Sequence, residues 1–221
     1  MPIITAANSK GGSGKSTLLL TIGCALADSG ASVSIIDSDP QRSIGRWADE
    51  NEDLRFHVRS DVDENSIREA INEEARRSKF VLVDVQGRAS RLMSRVLMAC
   101  DLALIPLSAS EFDADPAADT VKLIRDCEMD SGKSIPFRIV FNRTSPAIPT
   151  TSEKEIIAEI EELGLPILKT HLHDRQAYRL MGRRHRGLFQ LDDEKVSNLS
   201  KAQENAVLLT QEVLGSVGVV A

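Results

Sequence analysis

The chain has little of what marks several protein classes. No apolar stretch approaches the roughly 20 residues that cross a bilayer. The apolar segment at the start is short and runs straight into a glycine-rich loop, so no secretory signal is expected. Only three cysteines occur among 221 residues, Cys24, Cys100 and Cys127. Their number is odd and their spacing fits no metal site, which points to reduced thiols in a cytosol. Cys24 falls on a predicted helix and is assigned to the core. Segment 201–221 holds one lysine and no arginine, whereas a helix lying on a membrane surface wants basic residues on its polar face. No membrane partner is therefore expected. Aromatic residues make up 4% and form no interleaved stacking platform for single strands. Positive charge is in deficit: the net charge is -6, so nucleic-acid contact would have to come from a local patch.

What is present is an ordinary globular composition, 42% hydrophobic, in a chain long enough for one α/β domain over 1–221. Short β-branched runs at 3–8, 32–37, 56–59, 80–84, 102–106, 137–141 and 166–169 read as strands. Helical patterns at 16–29, 42–51, 64–78, 90–99, 114–130, 152–163, 175–186 and 195–214 alternate with them. Val81-Leu82-Val83 is apolar on both sides, as buried parallel strands are. The expected fold is α/β, a mostly parallel central sheet with helices on both faces. The chain starts at its first strand, so no N-terminal helix-turn-helix domain is expected.

Lys10-Gly11-Gly12-Ser13-Gly14-Lys15-Ser16-Thr17 lies between the first strand and the first helix. That is the context a phosphate-binding loop requires and a stray glycine-rich loop lacks. Glycines let backbone N–H groups approach phosphate oxygens, and the helix presents its N-terminus to the anion. Lys15 can reach the terminal phosphates and the Ser16 hydroxyl can take a position on Mg²⁺. Residues Gly11 to Thr17 are thus the candidate nucleotide cradle. The general pattern G-x-x-x-x-G-K-[ST] asks for glycine where this chain has Ser9, whereas the narrower KGGxGK[ST] fits throughout. Asp37, Asp39 and Asp84 fall at predicted carboxyl ends of strands, where open α/β sheets bind ligands. Asp37 and Asp84 are assigned to Mg²⁺ through metal-bound water. Asp39, before Pro40, has capping of the next helix as its alternative role.

The second lysine, Lys10, makes this loop resemble that of the deviant Walker A ATPases, the ParA/MinD family. Ile35-Ile36-Asp37-Ser38-Asp39-Pro40-Gln41 is similar to the family's DxDPQ motif. Phe80-Val81-Leu82-Val83-Asp84 is similar to its Walker B strand, and Asp101-Leu102-Ala103-Leu104-Ile105-Pro106 to its next core strand. These segments cover the first half of the chain in the family's order. In the second half, Arg175-Gln176-Ala177-Tyr178 resembles a late helix of partition ATPases. The resemblance implies a P-loop NTPase that hydrolyses ATP with Mg²⁺. It implies that Lys10 crosses a dimer interface to the partner's phosphates, that Asp39 orients the attacking water, and that Asn142 contacts adenine. Lys10, Lys15 and Asp39 are the catalytic candidates. Where the family often has a proline pair after the Walker B strand, this chain has Val85-Gln86-Gly87-Arg88, with Gly87 free to act as a hinge.

Two arginine stripes stand out: Arg88, Arg91 and Arg95, then Arg175, Arg179, Arg183 and Arg186, with Arg184 and His185 beside the second. The bland reading is a solvated or ion-paired face. The sharper one is contact with the DNA backbone, the electrostatic footprint of a nonspecific duplex binder. The expected protein is a cytoplasmic, ATP-dependent homodimer, nucleoid-associated when ATP-bound. It would bind nonspecific double-stranded DNA and position a plasmid, chromosome region or protein cluster, with a ParB-like or other partner stimulating hydrolysis. Two further readings stay open. One is a metabolic enzyme on the same fold, such as a dethiobiotin-synthetase-like ligase. The other is a recruitment ATPase like that of T-DNA transfer, which the Gln86-Gly87 sequence and short length resemble.

Overall fold

A computed structural model describes residues 1–87, 90–108 and 114–219. Arg88, named above, lies outside them. Among the described residues seven strands form one parallel sheet: β1 (Ile3–Ala6), β2 (Val33–Asp37), β3 (His57–Arg59), β4 (Phe80–Asp84), β5 (Leu102–Ser108), β6 (Phe137–Thr144) and β7 (Leu172–His173). Their order is β3-β2-β4-β1-β5-β6-β7. Every residue of β2, β4 and β5 is buried, which explains their near-continuous apolar sequence. Pro106 is tolerated inside β5 because pairing with β1 stops at Leu104, so no ladder donor is needed there.

The order also dictates which face each helix covers. From β1 the chain moves outward to β2 and β3, then reverses through β4, β5, β6 and β7. Right-handed crossovers therefore put α1 (Lys15–Asp28) and α2 (Ser43–Asp49) on one face. They put α3 (Ile67–Arg77), α4 (Arg91–Ala99), α5 (Ala114–Ser131) and α6 (Thr151–Glu162) on the other. Two hydrophobic cores result. One joins Leu18, Ile22, Trp47 and Ile35 to Met181 and Leu209 from α7 (Gln176–Arg184) and α8 (Leu199–Ser216). The other joins Ile36, Val83, Ile67, Met93, Ile124 and Ile156. Ile35 and Ile36 feed opposite cores, as alternate strand residues must.

The strand expected at 166–169 is not formed. Among the described residues that segment makes an isolated bridge, Ile139 to Ile167, and the last strand is β7. Leu168 N–H still donates to the Ile139 carbonyl at 2.9 Å; the ladder goes no further because the next two N–H groups, of Lys169 and Thr170, both turn to the Glu212 carboxylate of α8, at 2.7 and 2.8 Å. The helix expected at 175–186 ends at Arg184, where His185 turns left-handed (φ 48°), so Arg186 leaves the helix face assigned to it. Among the described residues no helix is long and apolar enough to cross a membrane.

Candidate nucleotide-binding site

The loop leaves β1 through an Asn8 bracket. Asn8 Nδ2 donates to the Pro106 carbonyl at 2.7 Å, and Asn8 Oδ1 accepts from Lys10 N at 2.8 Å. Ser9, the departure from the general pattern, is used as a tether. Its N–H donates to Thr120 Oγ1 and its hydroxyl to the Pro116 carbonyl, both at 3.2 Å, fastening the loop to α5. Gly12 and Gly14 adopt φ of 78° and 92°, a region that favours glycine. Gly14 caps α1, whose first turn keeps backbone donors without helical acceptors. Lys15 is buried, and burial lowers its pKa while the Asp84 and Asp39 charges oppose the shift. Its Nζ donates to the Lys10 backbone carbonyl at 3.4 Å, so the Lys15 side chain folds back over the start of the loop.

The acidic side is assembled from two adjacent strand ends. Ser16 Oγ donates to Asp84 Oδ2 at 2.6 Å. Burial, with a smaller contribution from the Asp37 charge, raises the Asp84 carboxyl to about 7 against the pull of the Ser16 hydrogen bond. Asp37 Oδ2 accepts from Ile44 N and Gly45 N at 2.8 Å each, and its Oδ1 accepts from Asp39 N at 3.2 Å. Burial pushes its pKa up, against those backbone donors. The helix-start contact considered for Asp39 is thus made by Asp37. Asp39 accepts from Gln41 N at 2.9 Å and lines the cleft. Ser38 was not singled out by sequence, yet its hydroxyl and its N–H both donate to the Asp84 carbonyl, at 2.7 and 3.0 Å, locking β2 to β4. A spacing rule cannot find such a bond across 46 residues.

The loop glycines, Lys15, Ser16, Thr17 and Asp39 line a cleft of about 640 Å³. A second, of about 310 Å³, adjoins it at Gly14, Thr17 and Arg143 and continues past Asn142, His173 and Tyr178. Both are of a size that takes small ligands. Asn142 Nδ2 donates to the Ser13 carbonyl at 3.1 Å. Buried atoms without a partner among the described residues include Ser13 Oγ, Asp84 Oδ1 and Asn142 Oδ1. These orphans fit a magnesium nucleotide: a carboxylate oxygen for metal-bound water, and an amide oxygen that can accept from an exocyclic amine such as adenine's. No group of three or more His, Cys, Asp or Glu side chains among the described residues is placed to hold a metal. A partial set of Ser16, Asp84 and Asp37 suits Mg²⁺, which keeps waters and takes phosphate oxygens. Gly87 comes close to the loop: a Cβ there would sit 2.8 Å from Lys15 Nζ and 2.9 Å from the Lys10 carbonyl.

The arginines divide. Arg91 and Arg95 face Glu64, at 4.0 and 3.9 Å, and Arg95 also donates to the Glu64 carbonyl at 2.6 Å. Arg179 pairs with Asp174, and Arg186 with Asp53 and Glu52 at 2.7 and 3.2 Å. Arg183 and Arg184 are exposed at the carboxyl end of α7, with no ion pair within 4.0 Å among the described residues.

Comparison with known proteins gives the family and the fold. The family model described as VirC1 protein matches residues 1–214. The chain belongs to the VirC1 family. This VirC1-family chain is 36% identical to Protein ParA of Rhizobium radiobacter, over 93% of each protein. Its fold is similar to that of apo McdA from Cyanothece (TM-score 0.74, 16% identity, 94% of this chain and 99% of that one). It is also similar to cobyrinic acid a,c-diamide synthase from Mycobacterium smegmatis, solved with an ATP analog and magnesium (TM-score 0.67, 17% identity, 83% and 93%). The expected ParA/MinD resemblance and α/β fold are borne out: the VirC1-family chain is a ParA-like P-loop NTPase, from a group that is generally ATPase.

Proposed function

We propose that this chain is an ATP-hydrolysing, ATP-dependent dimer that binds nonspecific DNA and positions or segregates cargo, with hydrolysis stimulated by a partner protein. The observation that carries the reading is the glycine cradle at the start of α1, where Lys15 and Ser16 line one cleft with Asp39 and the Ser16 hydroxyl rests on Asp84. Mg²⁺, when bound, would neutralise charge on the terminal phosphates. Ser16 would hold the metal directly, and Asp84 and Asp37 would hold its waters. Gly11, Gly12, Ser13, Gly14 and Thr17 surround the phosphates with backbone donors and the start of α1. Lys15 supplies the fixed cation, and its burial strengthens that charge's reach. Asp39, half-buried and facing the cleft, orients the attacking water. Lys10 acts across the dimer on the partner's phosphates, so association depends on nucleotide. Asn142 meets the adenine. Among the basic candidates, exposed Arg183 and Arg184 support contact with DNA more strongly than the paired arginines do. DNA-transfer recruitment is the second reading, favoured by Gln86-Gly87 after the β4 aspartate.

Lys10→Ala and Lys15→Ala test the division of labour. Calorimetry with a magnesium ATP analog should show lost tight binding for Lys15→Ala only. Light-scattering chromatography should show lost dimerisation for Lys10→Ala despite retained binding. Equal loss of affinity in both would sink the separate roles. Turnover that follows a small-molecule substrate, indifferent to DNA or a partner, would support the metabolic alternative.

A further inference from the structure

We infer that Arg143 is a positioning residue of the phosphate loop, acting with its neighbour to fix the direction of two successive loop peptides. The inference rests on the nucleotide reading of the cleft. Adjacent residues of a regular strand point to opposite faces, so Asn142 and Arg143 should not reach the same target. They do. Asn142 Nδ2 donates to the Ser13 carbonyl at 3.1 Å, and the Arg143 guanidinium donates to the Gly12 carbonyl at 3.3 Å.

Two local features make this possible. The β6–β7 register shifts between Asn142 and Thr144, and Arg143 takes φ of 57°, the left-handed region that a non-glycine residue enters at a cost. Irregularities of this kind beside a site re-aim a side chain. The consequence for the loop follows from peptide geometry. No peptide bond in the described chain is cis, and in a trans peptide the C=O and N–H point in opposite directions. Holding the Gly12 and Ser13 carbonyls on the β6 side fixes the Ser13 and Gly14 N–H groups on the other side. Two consecutive amides held in parallel form an anion nest before any anion arrives. Gly12 and Gly14, with positive φ and no side chain, would otherwise leave these planes free to rotate. Arg143 also lies where the two clefts meet, so the loop is held at the junction of phosphate and base.

The test separates side chain from backbone. In Arg143→Gly the left-handed conformation becomes easy, so the thermal midpoint of the full chain without nucleotide should hold or rise. Affinity for a magnesium ATP analog, read by calorimetry, should fall by roughly tenfold, the scale of one charge-assisted hydrogen bond. The loss should appear in KM more than in kcat. Arg143→Lys should recover part of the affinity, since an ammonium can reach the Gly12 carbonyl without the planar fork. Arg143→Gly binding as tightly as wild type, losing thermal stability in parallel with affinity, or full recovery by Arg143→Lys would each overturn the positioning role. Absence of nucleotide binding by the wild type would overturn the underlying reading of the cleft as well.

Discussion

Asp84→Asn should make the nucleotide-free protein more stable at pH 8 while removing its response to magnesium nucleotide. Asp84 is 1% exposed, and its carboxyl is raised from 3.8 to about 7. A raised native pKa means the folded state keeps a proton that the unfolded chain has released. Stability therefore declines as pH climbs from about 4 to about 7 and is level above that. A gap of about 3 units at about 1.4 kcal/mol each puts the wild-type cost near 4 kcal/mol at pH 8. Asparagine keeps the shape and can still accept from Ser16, but its amide donor would occupy the place of Oδ1, which has no partner among the described residues. That unmet donor costs about 1–3 kcal/mol. The net gain of about 1–3 kcal/mol should raise Tm by several degrees, at about 2–4 °C per kcal/mol for a chain of this size. At pH 5 the advantage shrinks by nearly 3 kcal/mol, so the variant should melt at or below wild type there. Thermal melts at both pH values, with and without a magnesium ATP analog, measure all of this. A variant less stable than wild type at pH 8, or a difference independent of pH, would refute the reasoning.

Gly87→Ala should weaken nucleotide binding roughly tenfold with little change in Tm, a direct calorimetric comparison, because the new methyl presses on Lys15 Nζ and the Lys10 carbonyl. Reversing Arg183 and Arg184 to Glu should abolish ATP-dependent retention of arbitrary duplex DNA in a gel shift and flatten its salt dependence by about one log–log unit for each phosphate no longer neutralised. Arg179→Glu should matter less, since Arg179 already pairs with Asp174. Equal effects would show that the ion pair opens on DNA.

The phosphate loop and the two acidic strand ends were legible because each is one contiguous run whose chemistry needs those residue types at that spacing. The sheet was legible because β2, β4 and β5 are apolar throughout. The rest depends on partners distant in sequence. Glu212 breaks the ladder at 169–170 from more than 40 residues away. Asp37, rather than Asp39, takes the start of α2 because its carboxylate turns inward onto Ile44 N and Gly45 N. Arg143 carries no signal beside Asn142, because a register shift between two strands has no local sequence signature. The second arginine stripe stops short of Arg186 because the 3.6-residue periodicity ends at His185, where the backbone changes hand.

The Glu212 contact bears on how copies of this chain avoid one another. An open sheet has two borders where unpaired amides invite strands from other molecules. One border here, β3, is three residues long and carries Arg59, a charged side chain paired with Glu73, which discourages a flat neighbour. At the other, β7 is only two residues. Just before it, the amides of Lys169 and Thr170 are occupied by a carboxylate from within the same molecule. The side chain that ends the ladder thus also seals it: a strand from outside would have to displace Glu212 from two backbone donors. A parallel sheet of seven strands is thereby kept from growing an eighth from another copy, leaving association to surfaces other than its borders.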